Sequence, residues 1–109
     1  RCVKLCLALP KNILGNYIAG QLIRSSLSVA ANYRSVCIAQ SRKEFAAKIS
    51  IVLEEADECL FWINFIEDEK QIDSNNLNPL KKESEELLKI FAASRITVRK
   101  KIKPPMEKN

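Results

Sequence analysis

Residues 41–69 read SRKEFAAKISIVLEEADECLFWINFIEDE and decide the fold class of the chain. Apolar side chains recur in this stretch at alternating steps of four and three residues, which is the spacing of one face of an α-helix. Because other helices must cover such a face, the stretch predicts a long amphipathic helix in an all-α domain. The residues of the face are Phe45, Ile49, Val52, Ala56, Cys59, Ile63 and Ile66.

The acidic residues of this stretch stand out because the rest of the chain is basic. Residues 51–80 carry eight acids and one Lys, residues 1–50 carry eight Lys or Arg and one acid, and residues 81–109 carry nine bases and four acids. We expect the acids to pair with neighbouring helices and the remaining basic surface to attract a polyanion. Solvated helix faces are the alternative interpretation.

Two helical segments precede the acidic one. Residues 1–9 are typical of the end of a helix that the next residue, a proline, terminates, so the first helix is expected to be truncated in this numbering. A second helix is predicted from about Asn16 to Gln40. Its apolar face includes two polar residues, Ser25 and Asn32. Asn32 is expected either as a hydrogen-bonded core residue that fixes register or as a ligand-binding residue.

Capping signals predict where the third helix begins. Ser41 and Glu44 have the spacing of a capping box, in which a hydroxyl accepts from a backbone amide and the glutamate reaches back. The third helix is predicted to run to about Asp68. Whether the chain reverses direction at the capping box or continues with a kink is left open by the sequence.

A polar turn separates the third helix from a fourth. Ser74, Asn75 or Asn78 is expected to cap the fourth helix, with Pro79 in its first turn. Acids near the start of this helix and cations near its end both favour the helix dipole. A pair of prolines beyond Lys103 is expected to end it.

These segments predict one domain, an all-α antiparallel up-down-up-down four-helix bundle over residues 1–103, followed by a flexible tail over residues 104–109. No apolar run approaches the roughly 18 residues of a transmembrane helix. Four cysteines without a secretion signal favour a reducing, cytoplasmic location.

The chain lacks the residues with which helical bundles catalyse reactions. It has no histidine, so a serine or cysteine nucleophile would have no histidine base. Glu54 and Glu58 stand one helical turn apart, but a di-metal site also needs histidines and a second acidic helix. The four cysteines form no CxxC pair. We therefore expect a protein that is not an enzyme and that binds no metal or cofactor.

Two sets of residues are candidates for binding. Clustered Lys and Arg neutralise phosphates without reading sequence, which predicts contact with RNA or DNA. The candidate nucleic-acid-binding residues are Arg24, Arg34, Arg42, Lys43, Lys48, Arg95, Arg99, Lys100, Lys101 and Lys103. The candidate oligomer interface, on the third helix, comprises Phe61, Trp62, Glu54 and Glu58.

Three segments carry a family resemblance: QLIRSSLSVAANYR (21–34), SRKEF (41–45) and LEEADECLFW (53–62). They resemble the bacterial four-helix bundle proteins that are encoded within intervening sequences of 23S ribosomal RNA genes, some of which are labelled ribosomal proteins. The resemblance extends to Arg99. One departure is Tyr33–Val36, where many members have a Glu-Gly pair.

The resemblance implies a four-helix bundle that assembles as a homopentamer. It also implies kinship with the accessory variability proteins of diversity-generating retroelements, which bind nucleic acid and a reverse transcriptase. No catalytic residue is implied by the family. The expected partners are therefore further copies of the chain, RNA or DNA, and a reverse transcriptase or another protein. A scaffolding oligomer that binds another protein and no nucleic acid is the alternative.

Overall fold

Four helices form the computed structural model, which describes residues 2–102. They are α1 (Cys2–Ala8), α2 (Ile13–Cys37), α3 (Arg42–Asp68) and α4 (Ser74–Ile102). No strand occurs within the described part of the chain. The helices pack into an elongated body of 56 × 21 × 19 Å. The prediction of an all-α bundle is confirmed.

The acidic helix α3 is the central element, since it packs along both α2 and α4, while α1 packs on α2. Short turns connect α2 to α3 and α3 to α4, so successive long helices are antiparallel. The predicted apolar face of α3 points into the bundle: five of its seven residues are buried, and Phe45 and Ala56 are half-buried.

The core has two parts, one toward each end of the bundle. The first joins all four helices and consists of Leu5, Cys6, Leu9, Ile18, Leu22, Cys59, Ile63, Ile66 and Leu77. The second joins only the end of α2, the first half of α3 and the second half of α4, and consists of Val36, Ile49, Val52, Phe91 and Val98.

The α1–α2 turn places the start of α2 earlier than predicted. The side chain of Asn12 accepts a hydrogen bond from the Gly15 amide at 2.7 Å, so α2 begins at Ile13 rather than near Asn16. Gly15 is needed here because a Cβ atom would lie 1.9 Å from the Pro10 carbonyl oxygen. At its other end α2 stops at Cys37, before the predicted Gln40.

The α2–α3 turn contains the predicted capping box. The Glu44 amide donates to the Ser41 hydroxyl at 3.0 Å, and the Glu44 carboxylate accepts from the Gln40 amide at 3.1 Å. The glutamate thus reaches one residue further back than the cap itself. The chain reverses direction here, which resolves the alternative that the sequence left open.

The α3–α4 turn differs from the prediction at the cap. The side chain of Asp73 accepts from the Asn75 amide at 3.2 Å, a role predicted for Ser74, Asn75 or Asn78. Because α4 begins at Ser74, Pro79 falls in its second turn and not its first. The predicted tail, residues 104–109, lies outside the described residues, as does Lys103.

Candidate nucleic-acid interface

Most of the candidate nucleic-acid-binding residues meet at one end of the bundle. Because neighbouring helices are antiparallel, the end of α2, the start of α3 and the end of α4 lie together around the second core. Eight of the ten candidates belong to these three segments. We call this end the basic pole, formed by Arg34, Arg42, Lys43, Lys48, Arg95, Arg99, Lys100 and Lys101.

The positive charge of the basic pole is not neutralised by acids of the described chain. Glu44 is the only acid in the segments that form this end, residues 28–52 and 91–102, and its carboxylate is engaged at the α3 cap. Within residues 2–102 none of the eight cations forms a salt bridge. Lys48 and Arg95 are half-buried and the other six are exposed. The pole therefore presents uncompensated charge to solvent.

Arg24 lies apart from the basic pole, in the middle of α2. Its guanidinium donates to Glu55 at 3.3 Å and to Glu58, which ties α2 to α3. This contact, with a further bond from Trp62, lowers the pKa of the Glu58 carboxyl, and the same carboxylate raises the pKa of Arg24. The charge of Arg24 is thus already offset within the subunit.

A second ion pair joins the acidic helix to α4. The Lys81 ammonium lies 2.9 Å from the Glu67 carboxylate, and this contact raises the pKa of the lysine. Together with Arg24, it shows that acids of α3 pair with cations of both neighbouring helices, as the block distribution of charge predicts.

A groove beside the basic pole was not predicted from the sequence. It is open to solvent and has a volume of about 770 Å³ between the start of α3 and the end of α4. Phe45, Ile90 and Val98 supply apolar surface, and Arg42 and Lys101 are the cations of its lining. We call it the α3–α4 groove. The only sequence signal for it is that Ile90, on α4, falls outside the most regular apolar spacing; its side chain is 57% exposed.

The four candidate interface residues divide into two pairs. Phe61 is 57% exposed and Glu54 is exposed, so both are available to another molecule. Trp62 is half-buried, and its ring packs edge-on against Tyr17 of α2 at 5.9 Å. Its indole N–H donates to Glu58 at 3.2 Å. Trp62 and Glu58 are therefore engaged inside the subunit.

Comparison with known proteins identifies the family. The sequence model of the family described as 23S rRNA-intervening sequence protein matches residues 1–93. The chain belongs to this family. No curated protein matches the chain.

A solved structure supports the membership. It is the 1.70 Å crystal structure of a protein of unknown function from the S23 ribosomal protein family of Bacteroides thetaiotaomicron. The two sequences are 28% identical, the match covers 87% of this chain and 88% of that one, and the TM-score is 0.79. The overall packing of the helices is therefore that of a known family member.

The family match ends before half of the basic pole. Residues 1–93 include α1 to α3 and most of α4, but Arg95, Arg99, Lys100 and Lys101 follow the matched region. Membership of the 23S rRNA-intervening sequence proteins thus carries no argument for these four cations. The argument that these four cations bind nucleic acid depends on their position in the bundle.

Asn32, the candidate ligand-binding residue on α2, is satisfied within its own helix. It is half-buried, and its amide donates to the Ser28 carbonyl at 2.9 Å and to the Ser28 hydroxyl at 3.2 Å. Of the two interpretations, the hydrogen-bonded structural residue agrees with these contacts.

Over the described helices and turns, no group of three His, Cys, Asp or Glu side chains is placed to hold a metal ion. Among residues 2–102, none of the helices has both the length and the apolar character to cross a bilayer.

Proposed function

We propose that this protein is a non-enzymatic, oligomeric four-helix bundle that binds RNA or DNA through the basic pole. The observation that carries the proposal is the gathering of eight cations from three helices at one end, where Glu44 is the only acid of residues 28–52 and 91–102. Such a surface attracts the phosphate backbone and releases its counterions.

The kind of binding follows from the side chains of the pole. Lys and Arg contacts to phosphate position a nucleic acid without reading its bases. Six of the eight cations are exposed on helix ends, where their long side chains adapt to different backbones. We therefore expect binding that is strongly salt-dependent and weakly dependent on sequence.

The test is a salt series of RNA and DNA binding with two matched variants. Arg99→Gln with Lys100→Gln removes two charges from the pole, and Lys11→Gln with Lys82→Gln removes two exposed charges remote from it. Each lost phosphate contact lowers the slope of log K against log salt by about 0.7–0.9. The pole variant should lose up to roughly 1.8 units of slope, and the remote variant should bind as the wild type does.

Two results would contradict the proposal. One is the absence of binding at low salt by the wild-type protein. The other is an equal loss of binding by both variants, which would mean that net charge acts and the pole does not.

The oligomeric part of the proposal has its own measurement. The resemblance implies a pentamer, so light scattering should give a mass several times the 12.4 kDa of one chain.

A protein partner such as a reverse transcriptase is also proposed from the family resemblance. Co-purification of the two proteins after nuclease treatment tests this proposal.

Exposed apolar residues favour a second candidate, a scaffolding oligomer that binds another protein and no nucleic acid. Phe61, Ile90 and Ile96 are all more than half exposed, so each is available to an apolar partner surface. A defined protein partner that remains bound after nuclease treatment, together with no RNA or DNA binding at low salt, would favour this candidate.

A further inference from the structure

We propose that copies of this protein associate by inserting the outer face of α3 of one copy into the α3–α4 groove of the next. The inference rests on the oligomer of the proposed function and assigns the two surfaces that meet. One surface is cationic with an apolar floor, and the other is acidic with apolar side chains.

The outer face of α3, taken from residue 51 to residue 68, is defined by the exposed residues opposite its buried face. At 100° per residue, these positions fall within one arc of the helix, away from α2 and α4. The face combines acids with two large apolar side chains. We call it the acidic stripe, formed by Ile51, Glu54, Asp57, Phe61 and Asp68.

Two of the three acids of the acidic stripe, Glu54 and Asp57, have no cation of their own within the described residues. Among the described residues, Glu54 and Asp57 form no salt bridge or hydrogen bond, in contrast to Glu55 and Glu58, which are bound by Arg24. The stripe thus presents uncompensated negative charge next to the exposed ring of Phe61.

The α3–α4 groove has the complementary features. Its lining contains the cations Arg42 and Lys101 and no acid. Phe45 and Ile90 supply apolar surface in the same groove, and the space of about 770 Å³ is large enough for several side chains of one helix face. A groove between two helices is a common seat for the apolar face of a third.

The two surfaces of one chain cannot meet each other. The acidic stripe faces outward from α3, and the α3–α4 groove is itself built partly from the start of the same helix. Contact therefore requires a second copy, and the interface joins two different patches. An interface of this type leads to rings or to open chains of subunits.

Nucleic acid is the competing occupant, because phosphates would also bind Arg42 and Lys101. A phosphate backbone, however, leaves the apolar floor at Ile90 uncovered, whereas the apolar side chains of the acidic stripe cover it. The observations therefore favour a second copy of this chain.

The experiment is a charge exchange measured by sedimentation velocity on nuclease-treated protein. The groove variant carries Arg42→Glu and Lys101→Glu, and the stripe variant carries Glu54→Lys and Asp57→Lys. Each variant alone should associate at least tenfold more weakly than the wild type. Two samples should regain association, because opposite charges again face each other. One is a 1:1 mixture of the two variants, and the other is the fourfold variant, a single chain that carries all four substitutions. All proteins are first compared with the wild type by circular dichroism.

The matched control is Lys11→Glu with Lys82→Glu, two reversals on exposed cations outside the groove, which should leave the mass unchanged. The inference is overturned if the wild type is a monomer, if either single-surface variant keeps the wild-type mass, or if neither the mixture nor the fourfold variant regains it. It is also overturned if the groove variant loses RNA binding while its mass is unchanged, since the groove would then be a nucleic-acid surface. The proposed nucleic-acid binding fails separately, when an associating wild type does not bind RNA or DNA at low salt.

Discussion

At the residue scale, a serine of α2 and a cysteine of α3 form a polar contact inside the core. Ser25 is fully buried, and its hydroxyl donates to the Gln21 carbonyl at 3.0 Å. It accepts in turn from the thiol of Cys59 at 3.3 Å. Because the buried hydroxyl is satisfied within its own helix and across the interface, a polar residue occupies the core here without an unpaired group.

The thiol of Cys59 should make folding stability fall at alkaline pH. Burial raises its pKa from the ordinary value of 9.0 to about 11. Between these values the unfolded chain releases the thiol proton and the folded chain keeps it, so stability decreases as pH rises from 9.0 toward 11. Burial also raises the pKa of Cys6, which acts in the same direction. Urea unfolding at pH 8 and at pH 10.5 measures the effect.

Replacement of the thiol isolates its contribution. Cys59→Ala should be less stable at pH 8 because packing is lost, yet it should lose about 1–2 kcal/mol less than the wild type on the change to pH 10.5. Cys37→Ala is the control, because Cys37 is exposed and this variant should lose as much stability as the wild type. Equal losses in the wild type and Cys59→Ala would contradict the assignment.

At the scale of elements, the start of α3 depends on its capping box. Ser41→Ala removes the acceptor of the Glu44 amide and should lower the free energy of unfolding by about 1 kcal/mol. Glu44→Ala should have a smaller effect, because the Gln40 amide to which it binds is exposed to water. Urea midpoints measure both changes.

Ser35→Ala provides the matched control for the cap. Its hydroxyl also bonds to backbone, at 3.4 Å from the Ala31 carbonyl, but it satisfies no free amide of a helix end. A loss of stability as large as that of Ser41→Ala would show that the effect does not come from capping.

Helix faces were predictable from the sequence, whereas helix ends were predictable only in part. The apolar spacing of α3 identifies its buried face because burial of a helix repeats with its own period. The start of α2 could not be read in this way. It depends on the local cap of Asn12 on the Gly15 amide and on the close approach of the Pro10 carbonyl to that glycine, and the apolar spacing records neither contact.

The candidate site shows the same division. The basic residues were recognisable by type, and the antiparallel topology alone brings most of them to one end. Arg24 was grouped with them because sequence gives no register between α2 and α3. That register places it beside Glu55 and Glu58. The α3–α4 groove forms where the α2–α3 turn, the start of α3 and the end of α4 leave a space between them. The spacing of apolar residues within one helix does not reveal such a space.

At the scale of the whole molecule, charge is distributed unevenly along the 56 Å axis. The basic pole surrounds the second core, to which α1 contributes no buried residue, while paired acids lie nearer the first core. Repulsion among eight cations therefore acts where fewer helices hold the structure together. The end proposed to bind nucleic acid should also be the end with the lower local stability.

Salt should stabilise the basic pole more than the rest of the bundle. Between 50 mM and 500 mM NaCl the screening length falls from above about 10 Å to below about 8 Å, so repulsion among exposed cations weakens. Salt also screens the favourable interaction between the last cations of α4 and the helix dipole. This interaction contributes only about 0.3–1 kcal/mol and is confined to the last turn, so its loss is the smaller effect. Hydrogen exchange, at protein concentrations low enough to limit association, should therefore slow severalfold over residues 91–102 and less than about twofold around Ile63, in the first core. The variant with Arg99→Gln and Lys100→Gln should show a smaller slowing of exchange by salt over residues 91–102. The variant with Lys11→Gln and Lys82→Gln should show the same slowing as the wild type. A uniform response to salt along the chain would mean that the pole stores no net repulsion.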